Sequence, residues 1–533
     1  NPNLPKRALE PQVLYKFLVA ELAAQRGNFA VAAQAYLDIA KLTRDPRLAR
    51  RATEVATYGR LNDVALQAAR LWIEVDKDSP QAKQSLVGVL VQTDAVQAKP
   101  YLEDMLKGEG KNVGQALLQL GNLFARTPDK MTVYDVVKDL CRPYKELPEG
   151  QLALSQAAFA ANKYDNALVA VREALRIRPG WEVAVLFQAQ MLQHESRGKA
   201  LDYLKGYLDA NPASQDVRLN YGRLLIAEKK FAEARLQFQK LLDENPGNPD
   251  VALTVGLLAM QANDHASAEK ALKLALEQNY KDPDQVRVYL GQLSEDGKRY
   301  DEALKWYGAV GEGEQYISAH TRYAVVLARQ GKLAEARTHI KQLTAQNDTQ
   351  RVQIVQAEAQ LLREVRAFRE SFDVLKSALD QDPNQPELLY DVALAAEKVD
   401  MIDVLETNLR KLLQMKPDHA QAWNALGYTL ADRTDRLSEA RGYIEKALKL
   451  SPDDPFILDS MGWVLFRQGN HQEGQDYLQK AFTQRPDPEI AAHLGEVMWV
   501  RGNKSEAEKM WRDSLKDNPE NEELQKAIKR FLR

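Results

Sequence analysis

Apolar residues recur along most of the chain at three- and four-residue spacing, as in AEARLQFQKLL and LSEARGYIEKALKL. Such spacing gives a helix one apolar side and predicts a buried face on each. The helical stripes come in twos, joined by short polar turns, and the twos repeat. Small residues mark the period. From Gly427 the same phase meets Gly462 and Gly495 downstream and Ala393, Ala359, Ala324, Gly291, Gly256 and Gly222 upstream, in steps of 33 to 35 residues. A second small residue follows most markers by twelve: Ala234, Ala268, Ala303, Ala336, Ser371, Gly474 and Ala507. After Gly427 the interval to Ala440 is thirteen, so ADRTDRLSEA carries one extra residue. Twenty-four residues after many markers stands a proline (Pro246, Pro383, Pro417, Pro486, Pro519), which helps to end the second helix.

Small residues at fixed places let two helices approach closely, and bulky neighbours such as Trp423, Leu426 and Ile444 fill the adjoining space. One helix pair cannot bury its apolar face alone, so successive pairs must stack. A period near 34 with this pattern resembles the tetratricopeptide repeat, over about Gly150 to Pro519. The phase continues upstream through Ser155, Gly121, Gly88, Thr53 and Ala20, giving up to fifteen helix pairs, about eleven with the full pattern. The expected fold is all-α: a solenoid of antiparallel helix pairs in a right-handed superhelix. Residues 1–147 form an amino-terminal region of irregular pairs, 148–519 the regular array and 520–533 a capping helix, NEELQKAIKRFLR. Between Lys83 and Leu147 the pattern departs, because Pro100 stands where a small second-helix residue is expected and TPDK distorts a turn.

Composition narrows the function. At 533 residues the chain exceeds one hydrophobic core, which stops growing near roughly 250–300 residues, and a repeat array needs no central core. With 45% hydrophobic and 28% charged residues it is not a disordered chain. Its 72 basic and 75 acidic residues leave a net charge of −3, so no global field attracts nucleic acid. The one basic run, Arg44, Arg47, Arg50 and Arg51, reads as a solvated or locally paired helix face. Cys141 is alone and cannot form an internal disulfide. No apolar run reaches the length of a membrane span. The chain begins at Asn1 without a Met or an apolar leader, and any signal peptide or anchor is expected upstream of it.

A search for reagents finds none. The histidines 194, 265, 320, 339, 419, 471 and 493 form no helical ligand pair, and HESRG at His194 fails the HExxH pattern. GEGKNVG at Gly108–Gly114 lacks the spacing and the Lys-Ser/Thr of a phosphate loop and reads as a turn between repeats. No GxSxG serine occurs. No catalytic, cofactor-binding or metal-binding residue is assigned, and the chain is read as a non-enzyme.

Recognition remains. If the first helix of each pair lines a concave face, helical spacing from the markers selects its open side. This selects Phe456, Asp459, Trp463 and Phe466; Asn424 and Tyr428; Tyr390 and Asp391; and His493, Glu496 and Trp499. Of these, Tyr390, Asn424, Tyr428, Phe456, Asp459, Trp463, Phe466, His493 and Trp499 form a candidate peptide-binding groove, since large rings facing solvent are costly unless they bind something. The alternative is that the rings pack between neighbouring helices. Lysines that would clamp a chaperone carboxyl terminus are missing: the comparable sites read Asp216 and Asn220.

The segment Leu14 to Arg60, with Leu14-Tyr15, Glu21, Arg26-Gly27 and TRDPRLA from Thr43 to Ala49, is similar to the start of tetratricopeptide lipoproteins of proteobacterial envelopes. Over its full length the chain resembles the lipoprotein adaptors of carboxyl-terminal processing proteases. That resemblance implies a lipid anchor upstream of Asn1, a place on the periplasmic face of the outer membrane, and two kinds of protein partner. These are the processing protease (a serine protease) and its substrates, cell-wall cross-link hydrolases. The membrane is touched only through the anchor. An assembly scaffold for envelope polysaccharide export or secretion machinery is the alternative.

Overall fold

The computed structural model describes residues 10–532; the first nine residues of the expected amino-terminal region and Arg533 of the capping segment lie outside them. Within this span lie thirty-one α-helices, which follow one another as fifteen twos and one final helix, Glu522–Phe531; fourteen twos pack as hairpins, whereas Val113–Leu123 rests on Pro148–Ala160 rather than on Lys130–Cys141. The chain divides into two compact units, one running to Gln278 and the other from Asn279 onward. The first holds eight twos, the last of them Pro249–Gln261 with His265–Glu277. The second holds seven twos and the final helix.

From Gly222 onward the glycine markers lie hard against the partner helix. A Cβ on Gly462 would stand 2.6 Å from Leu478 Cγ and 2.7 Å from the Gly474 carbonyl, so only glycine fits against the partner helix there. The same contact joins Gly222 to Phe238 and Gly256 to Leu272, in each case sixteen residues on. The second small residues, Ala234, Ala268, Ala303, Ala336, Ala440 and Ala507, are fully buried. Where a marker or its follower is serine, the hydroxyl bonds across the pair: Ser371 Oγ donates to the Ala359 carbonyl at 2.9 Å, and Ser155 Oγ to that of Ala167 at 2.6 Å. A buried hydroxyl without such an acceptor would be destabilising.

The extra residue of the thirteenth pair is absorbed locally. Its first helix, Ala420–Arg433, is one residue longer than Pro455–Arg467. The turn after Pro455–Arg467 uses Gly469 at φ 87°, whereas Thr434 is extended at φ −140°. Its hydroxyl donates to the Leu430 carbonyl at 2.6 Å and accepts from Arg436 N at 3.1 Å. Gly427 still meets its partner, now Ile444, at 2.6 Å from the site of a Cβ.

Prolines punctuate both ends of the pairs. Pro246, Pro383, Pro417, Pro486 and Pro519 each lie one residue past a second-helix C-cap, as the spacing predicts. A second set, including Pro249, Pro283, Pro455 and Pro488, opens first helices directly after a capping Asn or Asp. Proline suits that position because its missing N–H has no partner in a helix start, and the preceding side chain caps the next amides.

The upstream markers need correction at two places. Gly88 and Gly121 are exposed and touch no partner helix, whereas Ala20, Thr53 and Ser155 are buried. In Pro80–Thr93 the buried side is Leu86, Val87, Leu90 and Val91, which turns Gly88 outward. Pro100 lies inside the helix Ala95–Gly108, which follows after Asp94 alone. Gly110–Asn112 is a single 3₁₀ turn between pairs. Around TPDK the turn is stretched, and Thr127 Oγ1 fastens it by donating to the Val91 carbonyl at 2.7 Å. Cys141 is buried, which pushes its thiol up to about 12 and makes it a packing residue. Arg44, Arg47, Arg50 and Arg51 of the basic run pair with Glu74, Asp45 and Glu54. The final helix covers the end of the stack, burying Leu524 and Ala527 against a cluster with Trp511 and Met498. No described helix is long and apolar enough to cross a membrane.

Candidate functional site

In the second unit each first helix from Asp348–Glu364 to Pro488–Val500 touches the next first helix, forming an inner row. Five of the candidate residues meet on three of these helices: Tyr428 on Ala420–Arg433, Asp459, Trp463 and Phe466 on Pro455–Arg467, and His493 on Pro488–Val500. His493 Nδ1 lies 3.0 Å from both Asp459 carboxylate oxygens. Trp463 stacks on the imidazole at 4.3 Å with 24° between the rings. Tyr428 Oη lies 3.4 Å from Nε2 on the other side. Burial by itself would lower the histidine's pKa, but the charge and hydrogen bond of Asp459, helped by Asp432 and Glu489, raise it.

The cluster is closed. Asp459 is 6% exposed, Trp463 7% and His493 9%, so these three hold helices together. Phe466 is half-buried against Trp463 at 5.4 Å and His471 at 5.1 Å. The remaining candidates lie elsewhere. Tyr390 stacks on His419 at 5.2 Å. Phe456 is 39% exposed, with the Arg485 guanidinium 5.0 Å over its ring. Trp499 turns to the end of the stack, 5.8 Å from Trp511 and 5.9 Å from Phe531. Asn424 is half-buried and its Oδ1 has no hydrogen-bond partner.

Two residues outside the selected set complete the cluster. Asp432 Oδ1 accepts from Trp463 Nε1 at 3.3 Å, and Arg467 Nη1 donates to the Ala431 and Asp432 carbonyls at 2.7 and 3.1 Å. They stand one helical turn beyond Tyr428 and Trp463 on the same stripes, a spacing that could have found them. Among the described residues no group of three or more His, Cys, Asp or Glu could hold a metal ion.

The stripe itself, at six and three residues before the marker and one after it, lines two cavities. In the first unit Val183, Leu186, Gln190 and Gln156 border one of about 380 Å³. In the second unit Ser318, Thr321, Gln353, Gln356 and Gln360 border one of about 480 Å³. Helical spacing thus reaches the recessed side of the first helices, and local side chains decide whether it is open.

Known proteins bear on this geometry. Tetratricopeptide-repeat profiles match residues 225–289, and 192–249 with 406–455. A TPR repeat-containing protein of Pseudomonas aeruginosa is 39% identical over 489 residues, covering 91% of this chain and 82% of that protein. Among solved structures, the anaphase-promoting-complex hetero-tetramer Cut9–Hcn1 aligns over 92% of this chain and 97% of that one, at 14% identity and a TM-score of 0.31. A thermophilic TPR protein of Thermus thermophilus aligns over 33% and 95%, at 20% identity and a TM-score of 0.30. On the strength of the sequence relative, with paired helices closed on small markers throughout the second unit, the chain belongs to the tetratricopeptide-repeat family.

Proposed function

We propose that the chain is a non-catalytic adaptor that holds a carboxyl-terminal processing protease together with the cell-wall cross-link hydrolases it cuts, at the periplasmic face of the outer membrane. The reading is carried by the amino-terminal segment Leu14 to Arg60, similar to the start of tetratricopeptide lipoproteins of proteobacterial envelopes, together with the full-length resemblance to the lipoprotein adaptor LbcA. That segment builds the opening helices Pro11–Gln25, Phe29–Thr43 and Pro46–Tyr58, where Tyr36 is fully buried and bonded to Glu21, and Asp45 caps Arg47 N at 2.9 Å. Of the quoted residues Glu21, Asp45 and Ala49 serve the packing of the stack, whereas Leu14 and Tyr15 stand exposed on the first helix. A long row of helix pairs offers separate surfaces to two proteins. Tethering both makes their encounter intramolecular, at an effective concentration on the order of millimolar for a well-matched span.

The test is capture from an envelope extract with the full chain as bait. Recovery of a processing protease supports the adaptor; recovery of polysaccharide-export or secretion components instead overturns it. Reconstitution completes the test. Protease and hydrolase incubated with the chain should cleave faster than without it, and the chain alone should leave the hydrolase intact.

A further inference from the structure

On the second-helix side of the last two pairs, His471–Gln484 and Lys504–Asp517 each pack on the first helix Pro488–Val500. Between them they leave a cavity of about 400 Å³. Its floor is apolar: Phe482 comes from the one second helix, Met510 from the other, and Met498 from the first helix. Met498 is 6% exposed, while Phe482 and Met510 are half-buried and turn their remaining surface to the cavity. Methionine is unbranched and polarisable, so a floor that holds two of them adjusts to the shape of an apolar guest.

Carboxylates rim this floor. Glu506, Asp513 and Asp517 border the cavity and are exposed. Among the described residues none of the three has an ion-pair partner, whereas acids close by are matched. Glu508 pairs with Arg512 at 2.7 Å and Asp453 with Lys480 at 3.2 Å. Lys509 is the one cation that borders the cavity, so negative charge prevails there.

The rim follows one helical stripe. Glu506, Met510, Asp513 and Asp517 fall at intervals of four, three and four along Lys504–Asp517. They therefore line one face of that helix over about three turns, about 16 Å. A groove along one helix and beside another has the shape of a seat for a third. Phe and Met offer a guest no hydrogen bonds, so the guest must satisfy its own backbone, as a helix does. Its charge is fixed by complementarity: Lys and Arg are attracted to the rim, and an acidic guest is repelled.

We infer that this groove docks a basic amphipathic helix of a partner protein. The guest's apolar side lies on Phe482, Met498 and Met510, and its Lys or Arg side chains meet Glu506, Asp513 and Asp517. This rests on the adaptor reading in taking a protein as guest, and deepens it by giving one guest a place and a chemistry.

The test uses the full chain and a fluorescein-labelled peptide of leucine and lysine, patterned at helical spacing over about four turns and followed by fluorescence anisotropy. Two peptides are compared with it: one with glutamate in place of lysine, and one of the same composition in which leucine and lysine alternate. The patterned basic peptide should bind, the acidic one should not, and the alternating one should bind at least about tenfold more weakly, because it has no apolar helical side. The double variant Asp513→Asn with Asp517→Asn should bind the basic peptide about tenfold more weakly at low salt, the product of two ion pairs, with unchanged melting. That gap should narrow as salt is raised. Asp202→Asn with Asp209→Asn, which neutralises two exposed acids of the first unit, should leave binding unaltered. Absence of binding by the unmodified chain, equal binding of the acidic or alternating peptide, unaltered binding by the Asp513 and Asp517 variant, or an equal loss in the Asp202 and Asp209 variant overturns the inference. Protease capture is measured on the same samples. Capture without peptide binding sinks the groove and spares the adaptor; peptide binding without capture does the reverse.

Discussion

Between Tyr316 and Lys398 the inner positions carry Gln353, Gln356 and Gln360 around an open groove. In the fourteenth pair the same three positions carry Phe456, Asp459 and Trp463, and the last two are shut in with His493. The backbone plan is shared, so the difference lies in the side chains. Trp463 and His493 fill the space between first helices and exclude water, while glutamines end in groups that water solvates as readily as protein does. One stretch of the row serves cohesion and the other stays available.

The largest effect expected is at the marker that makes the closed stretch possible. Gly462→Glu forces a side chain into the Gly474 carbonyl and Leu478, where backbone cannot yield, and buries a charge. It should destabilise the second unit by about 4 kcal/mol or more, read as a lower thermal midpoint by circular dichroism. An unchanged midpoint would mean that the packing register is wrong.

Next comes the ion pair. His493→Ala leaves Asp459 buried without its partner and should cost about 3 kcal/mol, whereas replacing both by leucine should cost less. Denaturant titration of the single and double variants decides this; equal losses would make the cluster ordinary packing.

The pH dependence should follow the raised histidine. A group whose pKa is higher in the folded state adds stability fully below its unfolded value, about 6.5. That contribution fades as pH rises through the folded value, so the gap in melting midpoint between the parent chain and His493→Ala should narrow from pH 6 toward alkaline pH. A gap that widens would mean that His493 is buried neutral.

The smallest effect is expected at the open stretch. Gln353→Ala with Gln360→Ala removes exposed side chains from a helix and should shift stability by no more than about 0.5 kcal/mol. A loss comparable with that of His493→Ala would show the glutamines to be structural and erase the contrast.

The pairing of helices was legible in the sequence because the glycine markers from Gly222 onward are tied to a partner side chain by hard contact, as Gly256 is to Leu272. A feature set by atomic radii leaves a periodic trace. The trace fails at Gly88 and Gly121, where glycine faces solvent and records nothing about packing. Spacing also placed the inner stripe, since position on a helix is fixed by 3.6 residues per turn. It did not reveal which part of the stripe is covered. Trp463 is closed by His493, thirty residues away, and a ring facing a cavity has the same letter as a ring facing a neighbour. Large aromatics drew attention to the closed stretch, and the glutamines at spacing three, three and four passed as ordinary surface.

The Thr434 turn carries a lesson about errors. Had the chain kept its phase by counting from one end, the additional residue would have put every later contact out of step. Instead Gly462 finds Leu478 at the usual interval, as if nothing had happened upstream. Each pair resets the count for the next. Mistakes of length therefore stay private to the turn in which they arise, and a lineage can revise one turn at a time without renegotiating the rest.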